Sequence, residues 1–278
     1  MKSPSREEQP QSQQSISQQI ARRLVASRRS GRALPGFPGS VPGNLDDAYQ
    51  IQDIAIALWN EPIGGWKVGR IPLDLEDQFG IDRLAGPVFA STIHEADDDT
   101  IVDMPVFVGG FAAIEAEFVA VIGTDAAADK VDWTLDEASA IIADLRIGLE
   151  IASSPLPAIN DLGPAGVASD FGNNFGLVVG PSIESWQSRA LESMRSSSSI
   201  DGQVVGDGGA FKLTGGFVRS VQFLLQLAAR RGFPLRAGDV IATGQTTGIH
   251  EIAVGEIGTT NFGDDGEISI RAVAAQPF

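Results

Sequence analysis

Residues 111–123, FAAIEAEFVAVIG, place Glu115 and Glu117 two positions apart in a run that is otherwise apolar up to its closing glycine. As a strand, with side chains alternating between faces, the run puts Ala112, Ile114, Ala116, Phe118, Ala120 and Ile122 on one side. That face is wholly apolar and must be buried. The other face carries Ala113, Glu115, Glu117, Val119 and Val121, so both glutamates share a side that continues into apolar residues and is expected to be buried too. Burying even one ionised carboxylate alone is costly, and two neighbours repel, so the pair demands shared protons, basic partners or a cation. A divalent metal is the compact solution. The competing reading is a helix, because Ala and Glu are good helix formers and Phe111, Ile114, Phe118, Val121 and Ile122 also make a helical stripe.

The rest of the chain narrows the chemistry. With 278 residues, 43% of them hydrophobic, it can bury one large core or two small ones. It has no cysteine, which excludes disulfides, thiolate metal sites and cysteine nucleophiles and leaves oxygen ligands. A formal charge of −16 disfavours nucleic acid and anionic membranes as partners. An anionic substrate would therefore need local positive charge. No apolar run of membrane-spanning length and no signal-peptide core is present, so the cytoplasm is the expected compartment.

Residues 1–15 are polar and rich in Gln and Ser, and are expected to be a disordered tail. Ile16, Ile20 and Leu24 then follow helical spacing to Ser30-Gly31, a Pro/Gly-rich loop intervenes, and Asn44 is placed to cap a second helix with Leu45, Ala48, Ile51, Ala55 and Leu58 on one stripe. A small N-terminal helical subdomain with a Lys67 loop is thus expected over residues 16–85, followed by a β-rich catalytic core over 86–278. Two helices interrupt that core. Thr134 with Glu137 forms a capping box, and Val218, Val221, Leu224, Leu225 and Ala228 form an amphipathic stripe ending at Gly232. Strands interrupted by isolated helices, without strict alternation, predict an α+β fold with a β-dominated core.

Further candidates are scattered. Glu150 lies in LRIGLEIASS, again among apolar residues, and three such acids would suit Mg²⁺ or Mn²⁺. The two histidines, His94 and His250, stand alone among polar neighbours and read as surface residues. Lysine is scarce, four against sixteen arginines, and Lys67 sits in GGWKVG, where glycines let the backbone approach a ligand. From local sequence alone, a lysine snorkelling from a strand end is the preferred reading. Asp170 and Asn173 lie in SDFGNNFG, which fits a simple turn, and Thr243-Gly244 fits a strand terminus. The stretch VVGDGG matches neither a P-loop nor a dinucleotide fingerprint.

Taken in order, Lys67 in GWKVG, the Glu115-x-Glu117 pair and Glu150 resemble the fumarylacetoacetate hydrolase superfamily, and within it the 2-keto-4-pentenoate hydratase / 4-oxalocrotonate decarboxylase branch. The similarity runs from AYQIQ through GPVF, AEFVAVIG, GLEIASS, LVVG and LRAGDVIATG, most of the chain beyond its tail. The resemblance implies a mixed β-roll or sandwich core, a strand at 111–122, and Mg²⁺ or Mn²⁺ held by Glu115, Glu117 and Glu150. It further implies Lys67 and Asp170 in catalysis, Asn173, Thr243 and Gly244 in substrate binding, and a homo-oligomer. The implied reaction is hydration of a 2-hydroxy-2,4-dienoate to a 4-hydroxy-2-oxo acid. Decarboxylation of a 2-oxo-dioate, hydrolysis of an acylpyruvate, and a silent metal-binding scaffold are the alternatives. The chain departs from the branch pattern at Ala85 in GIDRLAGPVF, at Ser154-Pro155, at Ser169-Asp170-Phe171 and at Gly216-Phe217, all in the expected substrate shell.

Overall fold

Asn44 does begin a helix, its side chain accepting from the Asp47 N–H. A computed structural model describes residues 13–96 and 100–278. Its elements in chain order begin with α1 (Gln13–Ser30), α2 (Leu45–Trp59), β1 (Ile63–Arg70), α3 (Leu73–Phe79), β2 (Arg83–Phe89), β3 (Ile93–Glu95), β4 (Ile101–Val106) and β5 (Phe111–Ile122). There follow α4 (Leu135–Ala140), β6 (Ile142–Ser154), α5 (Gly163–Ser169), β7 (Asn174–Ser182), β8 (Arg195–Ile200), β9 (Gln203–Gly209) and α6 (Gly216–Arg230). The chain closes with β10 (Val240–Gln245), β11 (His250–Glu251), β12 (Ile257–Asn261) and β13 (Glu267–Ala274). The expected tail over residues 1–15 falls mostly outside the described residues, and α1 already begins at Gln13.

The fold is α+β, with two sheets. The larger runs β2-β1-β10-β5-β6-β7-β3, with β11 also on β5; the smaller runs β4-β13-β12-β8-β9. Strand β5 settles the opening ambiguity by lying between β10 and β6, and its apolar face packs on the smaller sheet. There Ile114 approaches Gly258 and Phe118 meets the ring of Phe262 edge-on. The expected boundary at residue 85/86 falls inside β2. Because β1 and β2 both belong to the larger sheet, Lys67 stands in a strand rather than a loop.

The larger sheet curls strongly. Its edge strand β2 comes back against β7 near the opposite edge, where Val88, Val119, Leu177, Val179, Val240 and Ala242 make a small dry cluster on the concave side. Curling brings distant strands within side-chain reach. Glycines permit the close approaches: a Cβ on Gly65 would lie 2.2 Å from the Val240 carbonyl oxygen, and one on Gly86 only 2.0 Å from that of Phe171. Outside, α6 packs on β10, β5 and β2, while α1, α2 and α5 form a helical layer. Among the described residues no helix is long and apolar enough to cross a membrane.

Candidate active site

Above the dry cluster, the same concave side carries the acids. Glu115 on β5 stands directly opposite Glu150 on β6, and Glu117 lies opposite Gly148, where a side chain would collide with Val119. Like charges in cross-strand register are unfavourable. All three carboxylates are buried, and each offers an oxygen within 4.8 Å of the others. One oxygen of two of them is held by the protein. Glu117 Oε2 accepts from the Gly244 N–H at 2.7 Å, and Glu150 Oε1 accepts from Asn174 Nδ2 at 3.0 Å. The other oxygens, Glu117 Oε1 and Glu150 Oε2, are buried without a hydrogen-bond partner among the described residues. Buried, orphaned carboxylate oxygens converging on one point fit a hard divalent cation, which takes oxygen ligands and offsets their charge.

Lys67 completes the cluster. It lies three strands along from Glu150, with β10 and β5 between them, yet its Nζ comes within 3.5 Å of Glu150 Oε1 because the sheet curls. Burial pulls the ammonium pKa down, but Glu150, Glu115 and Glu117 together outweigh it and raise it above the ordinary lysine value. Lys67 therefore stays charged. Burial pushes the Glu115 carboxyl up to about 7, with Lys67 lowering it and Glu150 raising it further. Glu117 is raised well above its ordinary value by burial, Glu150 and Glu115.

Lys67 and Glu115 open onto a cavity of about 280 Å³ whose other polar residues include Asn173, Gln245 and Arg70, and whose apolar lining includes Leu75, Leu84, Val167 and Ile249. Asn173 takes a left-handed backbone, φ 65°, and its buried Oδ1 has no hydrogen-bond partner among the described residues. A neighbouring cavity of about 310 Å³ shares Gly69, Arg70 and Gln245 with the first and holds Thr243 and Gly244 in its wall.

Several expected roles change. The Asp170 carboxylate does not line the Lys67 cavity: Arg28 Nε donates to its Oδ1 at 2.6 Å, Arg28 Nη2 to its Oδ2 at 2.9 Å, and Ser154 Oγ to Oδ2 at 2.5 Å. Both its carboxylate oxygens are committed to Arg28 and Ser154. Thr243 spends its hydroxyl on the Phe118 carbonyl at 2.7 Å, and the Gly244 N–H is spent on Glu117. His94 and His250, expected at the surface, are half-buried and outside the acidic cluster. Sequence reasoning missed Arg28 and Asn174. Arg28 sits 142 residues before Asp170 with nothing local to mark it, whereas Asn174 was visible only as the second of two adjacent asparagines.

A model of the fumarylacetoacetate hydrolase C-terminal family matches residues 88–275, which include all three acids. The chain belongs to this family. It is 27% identical over 258 residues to 2-keto-4-pentenoate hydratase of Burkholderia vietnamiensis, an alignment covering 91% of this chain and 95% of that protein. Its fold is shared by 4-oxalocrotonate decarboxylase of Pseudomonas putida complexed with magnesium and adipate, at TM-score 0.74 and 20% identity over 92% of this chain and 97% of that one. Fumarylpyruvate hydrolase of Pseudomonas aeruginosa, in complex with Mn²⁺ and pyruvate, aligns at TM-score 0.55 and 19% identity over 76% of this chain and 89% of the other. Enzymes of one fold thus carry different reactions, and these two solved structures hold magnesium and Mn²⁺.

Proposed function

We propose that the protein is a divalent-metal-dependent hydratase that adds water to a 2-hydroxy-2,4-dienoate, giving a 4-hydroxy-2-oxo acid. The observation that carries the reading is the buried triad of Glu115, Glu117 and Glu150, with two orphaned oxygens beside a charged lysine. These three residues would hold Mg²⁺ or Mn²⁺. When bound, such an ion supplies Lewis-acid stabilisation of negative charge on a chelating 2-oxo acid. Lys67, held charged by the acids around it, serves as a cationic hydrogen-bond donor to the substrate carboxylate rather than as a base. Leu75, Leu84, Val167 and Ile249 receive the hydrocarbon chain, and the unpaired Asn173 carboxamide orients the incoming water or the product hydroxyl. The near full-length likeness to a hydratase supports the choice of reaction.

Arg70 favours one second reading. Its side chain borders both cavities and already binds one carboxylate, Nε and Nη2 donating to Glu76 Oε1 at 3.3 and 3.1 Å, a grip that the second carboxylate of a 2-oxo-dioate would take over in decarboxylation. A spectrophotometric screen of 2-hydroxydienoates, 2-oxo-dioates and acylpyruvates, with Mg²⁺ and with chelator, tests both readings. Mg²⁺-dependent loss of dienoate absorbance with a product heavier by one water supports the hydratase. Release of CO₂ from a dioate with no dienoate turnover replaces it by the second reading, and turnover undiminished by chelator overturns both.

A further inference from the structure

Residues 171–173 are three consecutive left-handed residues, with φ of 54° at Phe171, 67° at Gly172 and 65° at Asn173. Left-handed backbone is unfavourable for non-glycine residues, and a run of it persists only where its surroundings over-determine it. Here β2 and the rings of Trp59 and Phe89 pack against Phe171, and one side chain ties both ends of the run. Arg28, projecting from α1 and almost wholly buried, grips the carboxylate of Asp170 with two nitrogens and donates from Nη2 to the Asp170 carbonyl at 3.1 Å. Its Nη1 donates to the Asn174 carbonyl at 3.0 Å, and Nη2 also reaches the Ser153 carbonyl, on the same strand as Glu150, at 3.3 Å. The rings of Phe107, Phe171 and Phe175 surround the guanidinium at 5.1–5.7 Å.

The guanidinium therefore spans the turn, fixing the residue before it and the residue after it. Both asparagines that the turn delivers face the site: Asn173 lines the cavity beside Lys67, and Asn174 donates to Glu150. We propose that Arg28 is a positioning residue of the metal centre, an arginine of the N-terminal helix that holds the 170–174 turn so that Asn174 fixes Glu150 and Asn173 faces the substrate. The proposal rests on Glu150 being a metal ligand and goes beyond it by assigning the ligand's orientation to a residue that touches neither metal nor substrate. Only a planar fork with several donors can hold a carboxylate and three carbonyls at once. A lysine keeps the charge but not the fork.

The test is calorimetric titration of Mn²⁺, well below the melting temperature, into wild type, Arg28→Lys, Asn174→Ala and the double variant. Groups that orient ligands typically change metal affinity about 10–100-fold, and that loss is expected for each single variant. The double variant should bind no worse than the weaker single, because both act on Glu150 through one path. Leu24→Ala, in the core face of the same helix, lowers stability without touching the turn and should leave the affinity unchanged. Wild-type affinity in Arg28→Lys, fully additive losses in the double variant, or an equal loss in Leu24→Ala each overturns the inference. Should Arg28→Lys not fold, the neutral pair Arg28→Gln/Asp170→Asn, which leaves no uncompensated buried charge, takes its place, and wild-type affinity there is equally fatal. A wild type that binds no Mn²⁺ overturns the metal reading itself, and this inference with it; equal affinity in wild type and Arg28→Lys overturns the inference alone.

Discussion

Lys67 and the glutamates make opposite demands on each other, and the conflict predicts what each substitution does. The ammonium lies 3.5 Å from a Glu150 oxygen, so it competes with a cation for the same charge. Lys67→Met keeps the apolar stem and removes the competitor: Mn²⁺ affinity by calorimetry should hold or rise while kcat/KM falls. A cationic clamp on the substrate carboxylate appears chiefly in KM, whereas proton transfer appears in kcat, typically by about 10²–10⁴-fold. Unchanged kcat/KM on the best substrate would remove Lys67 from the site. Glu117→Gln tests the other side. It preserves the oxygen that accepts from Gly244 but deletes a negative charge, so Mn²⁺ affinity should fall at least about tenfold, as for damage to a ligand set; undiminished binding would exclude Glu117 as a ligand. At this scale the sequence was informative for the acids, because charge in an apolar alternating run is anomalous wherever it occurs. It was silent for Arg28 and for its pairing with Asp170, since an arginine near a helix end and an aspartate in a turn are ordinary until the fold joins them.

Elements whose signals are local were legible. The Asn44 cap, the Thr134–Glu137 capping box and the amphipathic α6 form where their residues predict. The short helices were not: α3 has an exposed Leu73 and no buried residue, and α5 carries two glycines and a proline, so neither shows a helical stripe. Strand β1 was hidden differently. The glycines of GGWKVG suggest a loop, yet they serve strand packing, where Gly65 admits the Val240 carbonyl. Gly86 on β2, beside Lys67 in register, plays the same part for the left-handed turn. A methyl there would lie 2.0 Å from the Phe171 oxygen and 2.7 Å from the Gly172 nitrogen, and backbone cannot rotate aside. Gly86→Ala should therefore cost about 1–3 kcal/mol, the range for overpacking, and should weaken substrate binding through displaced Asn173. Denaturant unfolding and KM measure the two; a loss in neither would mean that the turn does not rest on β2.

The whole molecule couples its stability to the metal through the same buried acids. Without a cation, folding raises the pKa of Glu115 to about 7 and that of Glu117 well above its ordinary value, so the folded chain binds protons that the unfolded chain, titrating near 4.5, has already released. Stability of the metal-free protein must then decrease as pH climbs from about 4.5 through 7, because fewer protons are bound in the unfolded state across that interval. Lys67 adds no slope there, since a lysine raised above its ordinary value of 10.5 stays protonated in both states below that pH. A divalent cation binds the ionised carboxylates and reverses the trend, releasing protons as it does so. At a fixed free Mg²⁺ concentration about 100 times the Kd at pH 8, mass action contributes about 2.7 kcal/mol. For a chain of 278 residues that corresponds to a Tm rise of roughly 5 °C. The difference between melts in Mg²⁺ and in EDTA should shrink steadily as pH is lowered to about 5, where protons displace the ion. A difference that stayed constant, or grew toward acid, would mean that the ion stabilises the fold somewhere other than on these three glutamates.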